Sequence, residues 1–417
     1  MHATAIVMNM FYTGLGIARS LGEHGIPVIG LTAKPGIYGN YTRYAKIVVS
    51  PDSRDQPEAL LNRLMELGKE LGHRAVIFPT RDDDVIFLDR YRKELSPYFI
   101  LTVPESAAIQ GCLDKWETYL AARKANVQTP RCWLIENEND LRQALPNLVY
   151  PCVVKPVAAY HWRKSGHWAL VGGRKAIGIH SEEELLSEYK AISRADTRML
   201  VQELVAGDDQ CLVIAACYFD RQSNFVAGFN LQKVLQVPQG FGTGCIVQAT
   251  NRAELFEPAI RLLQEIRYTG IAEVEYKWDA TTRQYQLIEV NPRPWDQHRL
   301  GRVCGVDLVY LAYLEHAGLP LPVTTCRERS VKWVAEDGFI TAVLQSIWRR
   351  DGSFRRLLGL ARGSRTYAIW SWRDPLPFLV YMSTRFVPAL VADGFRLVWS
   401  RLSSKLWRRN KSLVYEG

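Results

Sequence analysis

Short apolar runs in the first hundred residues are separated by segments whose apolar residues recur at helical spacing. The runs lie at residues 3–8, 27–31 and 74–78, and residues 15–22 between the first two have the helical pattern. Alternation of strand and helix predicts a parallel sheet with helices on its faces. We therefore expect an α/β domain at the start of the chain.

A glycine-bearing segment follows the first predicted strand. Gly14 and Gly16 have the spacing that begins a dinucleotide-binding fingerprint, but Arg19 occupies its third glycine position. We also find no convincing acidic residue placed for a ribose. We interpret the two glycines as a tight strand-to-helix turn. The interpretation as a nicotinamide-dependent oxidoreductase depends on this turn alone and is a distant alternative.

From about residue 113 the pattern changes to mixed α+β. A predicted helix (115–124) leads to a strand that ends at Lys155 and Pro156. Further apolar segments lie at residues 199–204, 211–219 and 225–229. Two more, 271–278 and 284–290, are separated by a short polar stretch and predict an antiparallel hairpin.

The hairpin carries the most informative polar residues. Strand alternation places Glu273, Glu275 and Lys277 on one sheet face, and Glu289 and Asn291 share a face of the partner strand. The short turn can bring Glu275 opposite Glu289. Two carboxylates and an amide oxygen suit Mg²⁺, which also takes phosphate oxygens. The alternative is a charged hairpin face that only contacts water.

Two lysines could supply the complementary charge. Lys155 ends an apolar strand, and Lys115 follows Asp114 at the start of a predicted helix. A single lysine is usually a solvated surface group. Lysines at the ends of strands or helices can instead act as point charges on phosphates.

Five motifs occur in an order that resembles ATP-grasp enzymes. They are Asp114-Lys115, Val153-Val-Lys155-Pro156, Val201-Gln-Glu-Leu-Val-Ala-Gly-Asp-Asp209, Val274-Glu275-Tyr-Lys277 and Ile288-Glu-Val-Asn-Pro-Arg293. The chain is similar to the carboxylate–amine ligase branch, which includes D-aspartate ligase-like and carbamoyl phosphate synthase-like proteins. The resemblance covers about residues 1–325.

The resemblance implies a division of the chain into three parts. Residues 1–112 would form a Rossmann-like, parallel-sheet pre-ATP-grasp domain, and residues 113–325 an ATP-grasp domain of two α+β subdomains. Residues 326–417 would form a basic, aromatic-rich and mainly helical C-terminal extension.

The resemblance also assigns the nucleotide contacts. It implies that Lys115 and Lys155 contact the ATP phosphates. The stretch Gln202, Glu203 and Leu204 would contact adenine, partly through backbone groups. A glutamine carbonyl oxygen can accept a hydrogen bond from the adenine amino group, so Gln202 suits this role although many relatives have glutamate there.

The remaining implied roles concern the ribose, the metal and the chemistry. Asp209 would hold the ribose hydroxyls. Mg²⁺, with Mn²⁺ as an alternative, would be bound by Glu275, Glu289 and Asn291. Arg293 would steady the acyl phosphate and the intermediate formed from it, and Lys233 resembles a basic residue before the substrate loop.

Two loops near the implied site depart from a simple pattern. Residues 157–168 are aromatic and basic, whereas phosphate-covering loops are usually small and rich in glycine. Arg163, Lys164 and Ser165 could cover the phosphates, or the loop could be a lid over the substrate. The loop at residues 240–244 and the N-terminal sheet are expected to shape the acceptor pocket.

Histidines and cysteines offer further candidates for chemistry. His161, His167 and His298 fall near the implied site, and a general base among them is conceivable. Water or substrate phosphate could equally accept the proton of an amine. Cys245 and Cys304 are interpreted as packing residues.

The charge of the chain is concentrated at its C-terminal end. The formal net charge is +9, and residues 331–417 hold 15 Lys/Arg and 6 Asp/Glu, which leaves the first 330 residues neutral. Within residues 395–408 an apolar stripe beside a basic one suggests an amphipathic helix at an anionic membrane surface. The alternative is that the stripe packs on the core. Nucleic acid is not an expected partner, because no recognisable binding module is present.

The overall composition predicts a globular protein. Hydrophobic residues make up 47% and charged residues 23% of the 417 residues. Scattered cysteines, the absence of a basic secretory start and the lack of a long apolar segment favour a cytoplasmic protein, with peripheral contact at the inner membrane surface as an option.

The predicted function is an ATP- and Mg²⁺-dependent ligase. It would activate a carboxylate as an acyl phosphate and couple it to an amine, releasing ADP and phosphate. The alternative is a non-catalytic ATP-binding partner in cell-envelope or polysaccharide assembly. A purely binding role would not need Glu275, Glu289, Asn291 and Arg293 together.

Overall fold

The computed structural model describes residues 3–388, apart from 163–166, 238–241, 328 and 350–352. Its first part contains a five-stranded parallel sheet with the order β3-β2-β1-β4-β5. The strands are β1 Ala5–Met8, β2 Val28–Thr32, β3 Lys46–Val49, β4 Ala75–Phe78 and β5 Phe99–Leu101. The predicted parallel sheet is confirmed, because all four strand pairs are parallel.

The helices of this part pack on the sheet through apolar side chains. They are α1 Tyr12–Gly22, α2 Pro57–Leu71, α3 Asp82–Arg90, α4 Arg92–Leu95 and α5 Ser106–Leu113. In α2 the buried residues Leu60, Leu64 and Leu67 recur at helical spacing. Proline at its first turn and left-handed Gly72 after its last residue account for its limits.

The expected turn at Gly14 and Gly16 is wrong, because both glycines lie inside helix α1. They permit close approach instead. A Cβ atom on Gly14 would lie 1.8 Å from the Asn9 carbonyl oxygen, and one on Gly16 would lie 2.6 Å from Nε2 of His298. The helix therefore packs tightly against the loop before it and against a residue almost 300 positions away.

A four-stranded antiparallel sheet follows, with the order β6-β9-β7-β8. Its strands are β6 Cys132–Ile135, β7 Cys152–Pro156, β8 Ile177–Ile179 and β9 Met199–Glu203. The helices in this part are α6 Lys115–Lys124, α7 Glu138–Ala144, α8 Ala159–Trp162, α9 His167–Leu170 and α10 Glu182–Ile192. The predicted helix at 115–124 is confirmed, and the Asp114 side chain caps it by accepting from the amides of Trp116 and Glu117.

The largest sheet has seven strands in the order β14-β13-β10-β11-β12-β15-β16. They are β10 Leu212–Phe219, β11 Phe225–Val237, β12 Thr243–Thr250, β13 Gly270–Asp279, β14 Gln284–Asn291, β15 Val331–Val334 and β16 Ser364–Tyr367. The helices in this part are α11 Phe256–Glu265, α12 Leu300–Val303, α13 Leu308–His316, α14 Glu336–Arg349, α15 Phe354–Leu360 and α16 Leu376–Tyr381. Strands β13 and β14 form the predicted antiparallel hairpin.

The sequence pattern set residues 331–417 apart from the core, and the described part of this segment corrects that interpretation. Strand β15 pairs with β12, with Trp333 opposite Val247, and β16 continues the sheet. Arg19 of α1 forms an ion pair of 2.9 Å with Asp374, and both side chains are 1% exposed. Pairing of strands so distant in sequence leaves no local signal, which is why the pattern missed it.

The predicted amphipathic helix at residues 395–408 lies outside the residues that the structure describes. Its contact with a membrane is therefore not tested. Among the helices that the structure describes, none combines the length and apolar character needed to cross a bilayer. Peripheral membrane contact therefore stays a prediction.

Candidate functional site

A cavity of about 410 Å³ is lined by loop and helix residues beside the parallel sheet and by residues of the four-stranded and seven-stranded parts. We call it the main cavity. Ten of the eleven predicted site residues line it, namely Lys115, Lys155, Gln202, Glu203, Leu204, Lys233, Glu275, Glu289, Asn291 and Arg293. Residues separated by up to 178 positions in the chain therefore meet around one space.

Strands β13 and β14 position the predicted metal ligands. Glu275 lies directly opposite Glu289, and Asn291 lies opposite Glu273. The Asn291 amide nitrogen donates to Glu273 at 2.9 Å and is 3.4 Å from Glu289. Because the amide nitrogen faces these carboxylates, its oxygen is the atom left to face a cation.

The carboxylates of this hairpin differ in charge. Burial, followed by the neighbouring charge of Glu275, raises the pKa of Glu273 to about 8. Burial would also raise the pKa of Glu289, but the charges of Lys115, Lys233 and Lys155 lower it below its ordinary value. Glu273 is therefore held as a neutral acid near pH 7, whereas Glu289 is held as a carboxylate.

Lys233 extends from β11 to the hairpin carboxylates. Its Nζ atom lies 2.5 Å from an oxygen of Glu275 and 3.4 Å from the side-chain oxygen of Gln236. Burial would lower the pKa of Lys233, but the charge and the hydrogen bond of Glu275 raise it. The lysine is therefore cationic and sits beside one of the predicted metal ligands.

The donor set of the hairpin fits Mg²⁺. Glu275, Glu289 and Asn291 offer hard oxygen atoms, and Mg²⁺ is commonly held by one or two carboxylates together with substrate phosphates. Within the described part of the chain no three His, Cys, Asp or Glu side chains form a complete metal site by themselves. The hairpin therefore suits a metal that arrives with phosphate oxygens rather than one bound by protein alone.

The two predicted phosphate lysines enter the cavity from separate elements. Lys155 lies near the end of β7. Lys115 is the first residue of α6, and its backbone N–H donates to the Val157 carbonyl at 2.8 Å. Burial lowers the pKa of Lys155, although the charge of Glu289 opposes this shift. Burial disfavours the cationic form of this lysine, and a bound anion such as phosphate would favour it.

The predicted adenine stretch lies at the end of β9. Gln202 is buried and Leu204 is exposed, and both line the main cavity. Glu203 also lines it, while its carboxylate forms an ion pair of 2.5 Å with Arg131. The structure thus brings the stretch to the cavity, and its adenine contact stays a prediction.

Asp209 is the predicted site residue that does not line the main cavity. Its carboxylate accepts hydrogen bonds of 2.8 Å from the backbone and the side chain of Gln236. Gln236 itself does line the cavity. The structure therefore places Asp209 behind Gln236, and the ribose contact of Asp209 stays a prediction.

Arg293 follows strand β14 and meets the parallel-sheet domain. Its Nε atom donates to Asp82 at 2.6 Å, and both side chains line the main cavity. Burial would lower the pKa of Arg293, but the charge and hydrogen bond of Asp82 raise it. Asp82 thus fixes the position of the arginine across 211 residues of sequence.

Asp82, Lys175 and Asp296 are among the residues that line the main cavity but that the sequence pattern did not select. Lys175 contacts the Thr243 hydroxyl at 3.1 Å, and its charge helps to lower the pKa of Glu289. It follows Gly172 and Gly173, both with positive φ, so a glycine-rich basic turn was the available signal. Asp296 carried no signal, because its place depends on the folded chain.

The three candidate histidines have structural contacts. His161 pairs with Asp196 at 2.9 Å, and His167 lies 3.1 Å from the His161 carbonyl oxygen. His298 is 2% exposed, and burial lowers its pKa to about 4. None of the three lines the main cavity. Arg163, Lys164 and Ser165, the candidates for covering the phosphates, lie outside the described residues.

Comparison with known proteins shows the family. Residues 114–324, half of the 417-residue chain, match the family model described as "Carbamoyl-phosphate synthase L chain, ATP binding domain". The chain belongs to this family. The predicted ATP-grasp resemblance is confirmed, and with it the enzyme class, an ATP-dependent, ADP-forming carboxylate–amine ligase.

One curated relative is similar in sequence, and two solved structures share the fold at low identity. D-aspartate ligase of Enterococcus faecium (strain Aus0004) is 23% identical over 300 residues, which cover 69% of each chain. The ADP complex of N5-carboxyaminoimidazole ribonucleotide synthetase has a TM-score of 0.63 at 17% identity and covers 84% of this chain and 87% of its own. The biotin carboxylase domain of Hydrogenobacter thermophilus 2-oxoglutarate carboxylase, solved with MgADP, also has a TM-score of 0.63 at 17% identity. The match covers 78% of this chain and 72% of that domain's chain.

Proposed function

We propose that the main cavity binds Mg-ATP and a small carboxylate, forms an acyl phosphate and passes the acyl group to an amine. The observation that carries the proposal is the meeting of Glu275, Glu289, Asn291 and Arg293 with two lysines around one space. A carboxylate is a poor electrophile, because its leaving group would be oxide. Phosphorylation replaces that leaving group with phosphate.

In the first step, an oxygen of the acid attacks the γ-phosphorus of ATP and the bond to the ADP oxygen breaks. Transfer of this kind depends mostly on positioning and on neutralising phosphate charge. Lys115 and Lys155 supply cationic charge from two sides of the cavity. The lowered pKa of Lys155 supports this role, since a bound phosphate would stabilise its protonated form.

Mg²⁺, or Mn²⁺ in its place, would be held by Glu275, Glu289 and Asn291 and would supply charge neutralisation on the phosphate oxygens. Glu289 is suited to this because the surrounding lysines keep it ionised. Lys233 is bound to Glu275 and would orient that carboxylate.

In the second step, the amine nitrogen attacks the acyl carbon, a C–N bond forms and the C–O bond to phosphate breaks. Of the two protons that an ammonium loses on becoming an amide, one goes to the departing phosphate and one to solvent. Arg293, held by Asp82, would stabilise the negative oxygen that develops on the acyl carbon. The similarity to D-aspartate ligase supports an amino acid as one substrate.

The test is release of ADP and phosphate from Mg-ATP by the purified chain, with amino acids and other small acids supplied singly and in pairs with amines. We expect release that depends on one acid plus one amine, with a stoichiometric amide product by mass spectrometry. Incubation in ¹⁸O-labelled carboxylate should transfer one label to phosphate, which is the signature of an acyl phosphate.

Two results would contradict the proposal. Tight ATP binding without turnover under every pair would favour a non-catalytic binding partner. Turnover without label transfer would exclude the acyl phosphate.

A further inference from the structure

A second cavity, of about 290 Å³, adjoins the main one. The two share Thr243, Gly244 and Asp296 in their linings. The wall away from the main cavity is built by β15 and α14, including Trp333 and Asp337. We call this space the side cavity. Its volume is close to the smallest ligand pockets, which measure about 300 Å³.

The side cavity combines an apolar wall with negative charge. Tyr12, Val237, Cys245 and Trp333 contribute apolar or aromatic surface. The carboxylates are Asp296, which accepts from the Thr13 hydroxyl at 2.7 Å, and Asp337, which accepts from the Gly338 amide at 2.5 Å. Neither of the two forms an ion pair with a lysine, arginine or histidine among the residues that the structure describes.

The carboxylates and the aromatic rings are close enough to influence one another. Burial raises the pKa of Asp296 and the charge of Asp337 adds to the shift, whereas the Thr13 hydrogen bond and the charges of Arg293 and Lys175 oppose it. Burial also raises the pKa of Tyr12, with the charge of Tyr38 and the neighbouring Asp337 carboxylate adding to the shift. The Tyr12 and Trp333 rings meet edge to face at 6.0 Å.

The position of Asp337 is fixed by its neighbour. The carboxylate of Glu336 is buried and accepts from the backbone amides of Ile369 and Trp370 at 3.0 and 2.6 Å. These bonds tie the start of α14 to the segment that carries Asp374, and Asp374 is anchored by Arg19. Asp337 therefore belongs to a wall built into the fold rather than to a loose appendage.

Carboxylates that form no ion pair among the described residues, in a partly apolar space, favour a cationic ligand, and aromatic faces add to that attraction. We propose that the side cavity binds the amine substrate, and that this substrate is a cationic amine with an apolar body. Its ammonium group lies by Asp296 and Asp337, and its apolar part lies against Tyr12 and Trp333. The shared border at Asp296 and Gly244 then places the nitrogen next to the main cavity. This inference rests on the proposed ligase function.

Calorimetric titration with phenethylamine and with 2-phenylethanol tests the site, because the two differ mainly in the ammonium group. At pH 7 and without nucleotide, we expect the wild-type chain to bind the amine at least tenfold more tightly than the alcohol. Asp337→Asn should remove most of this difference and leave the affinity for the alcohol unchanged. The matched variant Asp55→Asn, at an exposed position, should behave as wild type.

A second variant tests the location without changing charge. Thr341 lines the side cavity and is exposed at its edge, so Thr341→Phe should weaken binding of both compounds at least fivefold. Equal affinity for amine and alcohol in the wild-type chain, or full amine binding by either cavity variant, would overturn the inference. Binding needs no turnover, so these results are independent of ADP release, whose absence would instead count against the ligase proposal.

Discussion

The main cavity and the side cavity both contain carboxylates, but they balance the charge differently. In the main cavity Glu275 pairs with Lys233 and Asp82 pairs with Arg293, so the protein supplies its own cations. In the side cavity Asp337 has no ion-pair partner among the described residues. The first arrangement suits polyanions that arrive with a metal, and the second suits a cation. Two adjacent sites of opposite preference are what a ligase needs in order to hold an activated acid beside an amine.

The largest expected effect concerns the main cavity. Glu289→Gln should lower Mg-ATP turnover about a thousandfold, which corresponds to about 4 kcal/mol of transition-state free energy. The change removes a charged metal ligand but keeps the size and shape of the side chain. Turnover is measured as ADP release, and circular dichroism checks that the fold is kept. The exposed variant Glu254→Gln is the control, and near-normal activity of Glu289→Gln would remove the metal assignment.

The next effect concerns the wall of the side cavity. Asp374→Asn leaves Arg19 charged and unpaired in a site that is 1% exposed, so we expect a loss of about 3 kcal/mol in the free energy of unfolding. Urea denaturation measures it. Glu70→Gln breaks an exposed pair with Arg63 and should cost less than about 0.5 kcal/mol. Equal effects of the two variants would show that the C-terminal segment is not anchored as described.

A smaller effect depends on pH. Burial lowers the pKa of His298 to about 4 in the folded chain, whereas the pKa of a histidine in an unfolded chain is about 6.5. Between these values the unfolded chain binds a proton that the folded chain does not, so stability falls as pH falls through this window. The contribution is about 2.8 kcal/mol at pH 4 relative to pH 7. His298→Gln should reduce the slope of stability against pH, and His180→Gln, at an exposed position, should leave it unchanged.

The smallest effect concerns the arginine of the main cavity. Asp82→Asn keeps one hydrogen bond to Arg293 but removes the charge that fixes it. We expect kcat to fall about tenfold, or about 1.4 kcal/mol, with little change in the KM for ATP. The exposed variant Glu105→Gln serves as control. A rise in KM without a change in kcat would assign Asp82 to substrate binding instead of to positioning Arg293.

Local patterns identified the elements whose contacts are close in sequence. The antiparallel hairpin was predicted from two alternating segments and a short turn, and its register brings Glu275 opposite Glu289 as expected. The helix at 115–124 was likewise predicted and is capped by Asp114. Such contacts span few residues, so spacing is sufficient evidence for them.

Contacts between distant segments could not be predicted in this way. Gly14 and Gly16 were assigned to a turn, whereas they allow α1 to approach Asn9 and His298. The segment after residue 331 was treated as an appendage, whereas β15 completes the large sheet beside β12. The pairing of Asp82 with Arg293 and the location of Asp296 between two cavities depend on the same long-range packing.

The amino-acid sequence by itself determined the α/β and α+β composition, the order of the five motifs and ten residues that line the main cavity. Periodicity and residue type predicted the strands and helices, whereas the ten residues were assigned through the resemblance of the five motifs to ATP-grasp enzymes. Only the tertiary structure decided which charges are compensated, that Asp209 faces Gln236, and that the C-terminal segment forms a wall of the side cavity. The reason is physical: charge balance and burial depend on which distant elements come together, and no local spacing records that.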